Sequence, residues 1–238
     1  MKKLFILSIA IVFITSCKKE QPSEKINTIS DQKENGFLIT GTFENFFTKK
    51  VYLNKIIQNS LYPIDSFEVS KNKFILKGIV DYPERFVLTY ESYSATTVLI
   101  VENNAYEIYI NGSNLNDPII IGSNLNTKLD KYKANSKAIF NKIDALFPKF
   151  QKARLENDAE KLNEIGNTMK LIENKFTKFT YNYIIQNKNS FIAAMLLRDQ
   201  LKSSKIDSIR IIKTHKLLSP EVKKSPDAQI IATSFNLH

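Results

Sequence analysis

The stretch "TTVLIVENNAYEIYINGSNLNDPIIIGSNLNTKLDKYKANSKAIFNKIDALF", Thr96–Phe147, changes its period halfway along. Up to Gly122 its apolar residues come in short β-branched and aromatic runs, "TTVLIVE", "YEIYI" and "PIIIG", separated by "NN" and "NGSN". Such runs bounded by Asn and Gly read as strands and tight turns. From Leu125 onward the apolar positions are Leu129, Tyr132, Ile139, Phe140, Ile143, Leu146 and Phe147. That spacing keeps one face of a helix apolar. A β architecture therefore gives way to an α architecture near residue 124.

Upstream, the same strand pattern repeats at short intervals. It appears in "GFLITGTF" (36–43), "KVYLNKI" (50–56), "YPIDSFEV" (62–69), "KFILKGIV" (73–80) and "RFVLTYE" (85–91). With the three later runs this makes about eight strands, and such spacing predicts an antiparallel β-sandwich over residues 36–123. Downstream, residues 124–238 predict an α-helical region. Phe150 continues the first stripe, and Pro148 is expected to kink or break it. Leu162, Ile165, Met169, Ile172, Phe176, Phe179 and Tyr183 alternate steps of three and four, as in a coiled-coil seam. "ENDAEK" (156–161) is the expected turn of a long helical hairpin. Shorter helices are expected near 190–201 and 204–217, with another starting at Ser219 as N-cap and Pro220 in its first turn. The fold class is thus α+β.

Lys2 and Lys3 precede "LFILSIAIVFI", Leu4–Ile14, with Ser8 its one polar residue. A short positive segment and an apolar run of this length read as a signal peptide over residues 1–16. A bilayer-spanning helix needs about 20 apolar residues. "ITSC", Ile14–Cys17, resembles the lipobox of bacterial lipoproteins, which implies cleavage before Cys17 and lipidation of its thiol. Two or more acyl chains anchor a protein stably, whereas one does so only marginally. Residues 17–35 are polar and charged and are expected to be a flexible tether. By resemblance to envelope sorting rules, in which Asp after the cysteine favours inner-membrane retention, Lys18 implies a location in the cell envelope at the outer membrane, on its periplasmic or surface face.

Cys17 is the single cysteine, so the chain holds neither an internal disulfide nor a Cys-type zinc site, and no metal or cofactor is expected. Charge is uneven. Residues 17–124 carry 11 basic against 13 acidic side chains, and residues 125–238 carry 21 against 11. Lysine supplies 30 of the 34 basic residues. Arginine is the better fork for phosphates and base edges, so this excess argues against sequence-specific nucleic-acid binding. Lys128, Lys131, Lys142, Lys149, Lys152, Lys170, Lys175 and Lys178 are candidates for contact with an anionic envelope surface.

The residues offer little catalytic machinery. Thiol exchange needs two thiols, and no phosphate-loop, serine-elbow or zincin motif is present. His215 reads as a helix C-terminal histidine favouring the dipole. Asp65 reads either as an acid in a ligand pocket or as a structural polar group beside Ser66. Glu102, before the "NN" turn, reads as structural. The segment Thr89–Thr97, with Tyr90 and Tyr93, is a candidate recognition loop.

The order of several short motifs resembles a known family. They are Gly41 in "ITGTF", "VYL" (51–53), "DS" (65–66), Phe74 with Gly78, Pro83, "EN" (102–103), "GS" (122–123) and "NKNSFIAAMLL" (187–197). The family is the domain of unknown function that precedes thioredoxin-like domains, of the alkyl hydroperoxide reductase/thiol-specific antioxidant type, in Bacteroidetes lipoproteins. The resemblance spans about residues 36–235. Asn72 departs from the glycine usual there, and Asn also tolerates the left-handed conformation. No C-x-x-C follows before His238. The expected function is a non-enzymatic, lipid-anchored binding or interaction module with a protein or anionic-surface partner. The alternative is an accessory half of a thiol–disulfide reductase system that works with a separate thioredoxin-like protein.

Overall fold

The computed structural model describes residues 36–57, 60–203 and 205–237. The leader (1–16), Cys17, the tether (17–35) and His238 lie outside the described residues. Eight strands come first: β1 (Phe37–Glu44), β2 (Lys50–Ile57), β3 (Ser60–Glu68), β4 (Lys73–Gly78), β5 (Glu84–Tyr90), β6 (Tyr93–Val101), β7 (Ala105–Asn111) and β8 (Ile119–Ile121). Helices α1 (Asn124–Asp144), α2 (Phe147–Leu155), α3 (Ala159–Gln186), α4 (Phe191–Asp199), α5 (Ser208–Leu217), α6 (Pro220–Lys223) and α7 (Pro226–Ser234) follow. The chain is α+β, with the change of period at residue 124 where the sequence puts it.

The strands form two four-stranded sheets, in the orders β4-β1-β7-β8 and β3-β2-β5-β6. Their facing sides bury Ile39, Phe43, Phe74 and Ile108 from one sheet, and Leu53, Phe86, Leu88 and Leu99 from the other, in one apolar cluster. Strand β1 alternates buried and half-exposed residues along its length, the period-2 signature of a half-buried strand. Gly41 of β1 leaves room for the Phe74 ring, since a Cβ there would lie 2.0 Å from that ring.

The expectation of a purely antiparallel sandwich needs one correction: β1 and β7 pair in parallel, from Leu38–Ala105 to Glu44–Asn111. Turn signals report only which neighbours in sequence can form hairpins. The β1–β7 pairing joins strands far apart in the chain, and only the shared core selects its direction. The turn at Lys71 and Asn72, both left-handed (φ 50° and 60°), closes as expected with Asn in place of glycine. Its two strands, β3 and β4, nevertheless enter different sheets.

Ser123 caps α1 by accepting a hydrogen bond from the Asn126 N–H, and it donates to Glu102 at 2.6 Å. Asn126, 1% exposed, bonds the main chain of Ile100 on edge strand β6 from both sides, accepting at 2.8 Å and donating at 2.7 Å. This side chain occupies the hydrogen-bonding positions another strand would take and closes the sheet edge. Ile100 faces outward from the sandwich and joins a second apolar core with Leu125, Leu129, Tyr181, Ile184, α4 and Ile231. The helices therefore pack on the outer face of the β5–β6 half of one sheet. All described core residues fall within one compact unit, so a chain beginning at Lys18 retains both cores.

Helices α1 and α2 run as one limb antiparallel to α3. The limb breaks between Asp144 and Phe147, and Pro148 sits in the first turn of α2, where its missing N–H leaves no helical bond unmade. The turn into α3 is tighter than expected: Asn157 is left-handed (φ 52°) and Asp158 caps α3 at the Lys161 N–H. Near the sandwich the hairpin is locked by Tyr132 stacked on Phe179, at 5.6 Å between ring centres. The Tyr183 hydroxyl adds a bond to the Lys128 carbonyl at 2.7 Å. Away from it, seam residues such as Ile143, Leu162, Met169 and Ile172 are only half-buried, because two helices cannot enclose a seam. Ser219 caps α6 as expected, but α6 is one turn long, and a second Ser-Pro pair, Ser225–Pro226, opens α7.

Candidate functional site

Two places concentrate charge. The first lies where the sandwich meets the helices. Arg85 of β5 forms a bidentate pair with Asp199 at the end of α4, at 2.7 and 2.8 Å. One Arg85 nitrogen also donates to the Met195 carbonyl at 3.2 Å and stands 4.0 Å from Asp227 of α7. Arg198 donates to the same Asp227 oxygen at 2.8 Å. The Asp227 side chain is only 5% exposed. Burial alone would lower the Arg85 pKa, but hydrogen bonding and charge from Asp199, then Asp227, outweigh it and hold the guanidinium firmly charged.

This network borders a cleft of about 520 Å³ whose lining includes Lys55, Arg85, Arg198, Asp199, Asp227 and Lys202. Lys55 is paired with Glu84 at 3.0 Å. Each carboxylate here faces a cation at bonding distance. The arrangement suits a clamp between two layers, since bidentate arginine–carboxylate pairs fix geometry as well as charge.

The second place is the α1–α2 limb. Residues 131–155 hold seven basic side chains, Lys131, Lys133, Lys137, Lys142, Lys149, Lys152 and Arg154, against the single acid Asp144. The rest of the hairpin, residues 156–186, holds four against five. Lys133 is paired with Asp130 at 3.9 Å and Lys152 with Glu156 at 3.8 Å. Among the described residues the other five of these seven cations have no ion-pair partner.

The residues singled out from sequence separate between these and other places. Lys142 and Lys149 are exposed on the limb, and Lys170, Lys175 and Lys178 belong to the neutral limb α3. Asp65 is exposed on β3, accepts from the Ser66 N–H at 2.7 Å, and borders a recess of about 260 Å³ at the sandwich edge, so it is not a buried acid. Tyr90 is a core residue, 3% exposed, with its hydroxyl bonded to Thr97. Burial pushes its phenol pKa up. The expected recognition loop is in fact a hairpin turned at Glu91–Ser92, with Ser92 left-handed (φ 66°). Tyr93 starts β6, exposed, with its ring 4.6 Å from that of Phe46. His215 lies in the last turn of α5, but it is buried and its pKa is lowered, first by burial and then by Lys223. Both causes disfavour the charged form that a helix C-terminus would favour.

Arg85, Arg198, Asp199, Asp227 and Asn126 carry no signal in the sequence, because their partners are far away along the chain. The limb does carry one, the local charge count over 131–155. Among the described residues no three His, Cys, Asp or Glu side chains converge as metal ligands, and no helix is long and apolar enough to cross a membrane.

Residues 37–129 match the model of a family described as Domain of unknown function (DUF4369). The match starts at β1 and ends in the second turn of α1, so it covers the sandwich and leaves the hairpin and the later helices unmatched. It is narrower than the resemblance drawn from the motifs, which reaches residue 235. No curated protein and no solved structure matches the chain.

Proposed function

We propose that this protein is a non-enzymatic interaction module, lipid-anchored through Cys17 in the cell envelope at the outer membrane. The observation that carries the reading is the α1–α2 limb, a projecting half-buried seam with five exposed or half-exposed cations that no described acid neutralises. Such a limb adds little to the core and offers charge to a partner. In the clamp, Asp199 and Asp227 each accept hydrogen bonds from an arginine, so these charges join two layers instead of facing a partner. The leader and "ITSC" support the anchor.

The test is Cys17→Ala in the full chain. The variant is expected to lose labelled-palmitate incorporation and to leave the membrane fraction as soluble chain or uncleaved precursor. A Cys17→Ala chain that still sediments with membranes after leader removal contradicts the anchor.

The motif resemblance to a family that precedes thioredoxin-like domains supports a second reading. In that reading the module assists a separate thiol reductase. Co-purification with a thioredoxin-like protein, and faster insulin reduction by the pair than by the reductase alone, would support it.

A further inference from the structure

We propose that the α1–α2 limb docks on the surface of an anionic lipid bilayer. The proposal rests on the reading above that the limb is a contact surface, and names its partner. Three observations carry it. The first is polarity within the hairpin: residues 131–155 of the limb hold seven cations against one acid, while the α3 side is close to neutral. The second is the absence of local neutralisation: Lys131, Lys137, Lys142, Lys149 and Arg154 have no ion pair among the described residues.

The third is apolar exposure beside that charge. Phe140, Phe147 and Leu155 are 38%, 52% and 83% exposed, rising toward the hairpin tip. Phe147 and Leu155 stand eight residues apart on α2, about 80° around it, within the width of one apolar stripe. Lys149, Lys152 and Arg154 lie between them in sequence, and α2 contains no acid. A helix presenting bulky apolar groups beside lysines suits the boundary between headgroups and acyl chains.

The chemistry favours a bilayer over other polyanions. Six of the seven cations are lysines, compact charges suited to a diffuse anionic surface, where arginine forks suit individual phosphates. Exposed Phe147 and Leu155 gain from entering the headgroup layer and gain nothing along a phosphate backbone. Each lysine held near an anionic leaflet strengthens binding about fivefold, an effect that fades within a Debye length of about 10 Å at 0.1 M salt. A chain tethered at the same membrane meets that surface at high effective concentration.

The test uses the chain beginning at Lys18 and co-sedimentation with vesicles of phosphatidylglycerol mixed with phosphatidylcholine, or of phosphatidylcholine alone. The expected result is binding to the anionic vesicles only, weakened by salt. Lys137→Gln, Lys142→Gln and Lys149→Gln together should weaken it about 100-fold. Lys213→Gln, Lys216→Gln and Lys224→Gln, which remove the same charge from exposed positions on α5 and at the end of α6, should change it severalfold at most. Phe147→Ser with Leu155→Ser should lower the binding that survives raised salt. Far-ultraviolet circular dichroism confirms that each variant is folded. Equal binding to both vesicle types, equal loss from both lysine triples, or tighter binding to duplex DNA than to anionic vesicles overturns the proposal. If vesicle binding fails while the native chain still loses its membrane fraction on Cys17→Ala, the docking surface is wrong and the anchored module stands.

Discussion

The clamp and the limb use charge in opposite ways. At the clamp, two arginines and two aspartates from β5, α4 and α7 meet at 2.7 to 4.0 Å, partly out of water, and each charge has a partner. On the limb, five cations stand in water with no described partner. A buried pair is costly to break, because removing one member strands the other, whereas an exposed unpaired lysine is nearly free to change. The difference separates charge that joins two layers from charge left available to another surface.

The largest expected effect comes from breaking the clamp. Asp227→Ala removes the anion that Arg198 touches at 2.8 Å and that Arg85 faces at 4.0 Å, leaving two guanidiniums close together. Urea unfolding should show a loss of roughly 3–5 kcal/mol, the range for removing one partner of a buried ion pair. A loss below about 1 kcal/mol would erase the contrast, since the clamp would then behave like surface charge.

The clamp shows where the sequence stops being informative. Arg85 and Asp199 are 114 residues apart, and no local pattern links them. The same limit hides the parallel β1–β7 pairing, because alternation identifies a strand and its buried face but not its distant neighbour. Tyr90 was open to misreading for a local reason. A Glu91–Ser92 turn with a left-handed serine lacks the Asn or Gly that usually marks a tight hairpin, so a strand-to-strand turn looks like a loop. In contrast, Ser219 with Pro220 and the stripes of α1 and α3 were legible, since caps and periods act within a few residues. The limb's charge could be counted in sequence, but its lack of partners needed the fold.

A smaller effect adds a third case, a titratable group that is buried with no ion-pair partner among the described residues. His215 is 6% exposed, and its Nε2 has no hydrogen-bond partner among the described residues. Burial first, and Lys223 second, lower its pKa from 6.5, while a backbone hydrogen bond at Ala228 works the other way. The folded state therefore keeps the ring neutral, while the unfolded chain takes up a proton as pH falls through about 6.5. Stability is present in full above that pH and is lost below it, until the depressed native pKa is reached. The slope is at most about 1.4 kcal/mol per pH unit. Urea midpoints between about pH 7.5 and 5.5 should fall for the parent chain and stay flatter for His215→Gln. Parallel slopes would show that His215 is not held neutral.

The smallest expected effect is the most direct test of the division between fold-holding charge and free charge. Urea unfolding of the chain beginning at Lys18 would be measured for the parent, for Asp227→Ala, and for the limb variant with Lys137→Gln, Lys142→Gln and Lys149→Gln. The limb variant should unfold within about 0.5 kcal/mol of the parent, while Asp227→Ala falls by several kcal/mol. A limb variant that loses as much stability as Asp227→Ala would contradict the account, because those lysines would then be holding the fold rather than standing free of it.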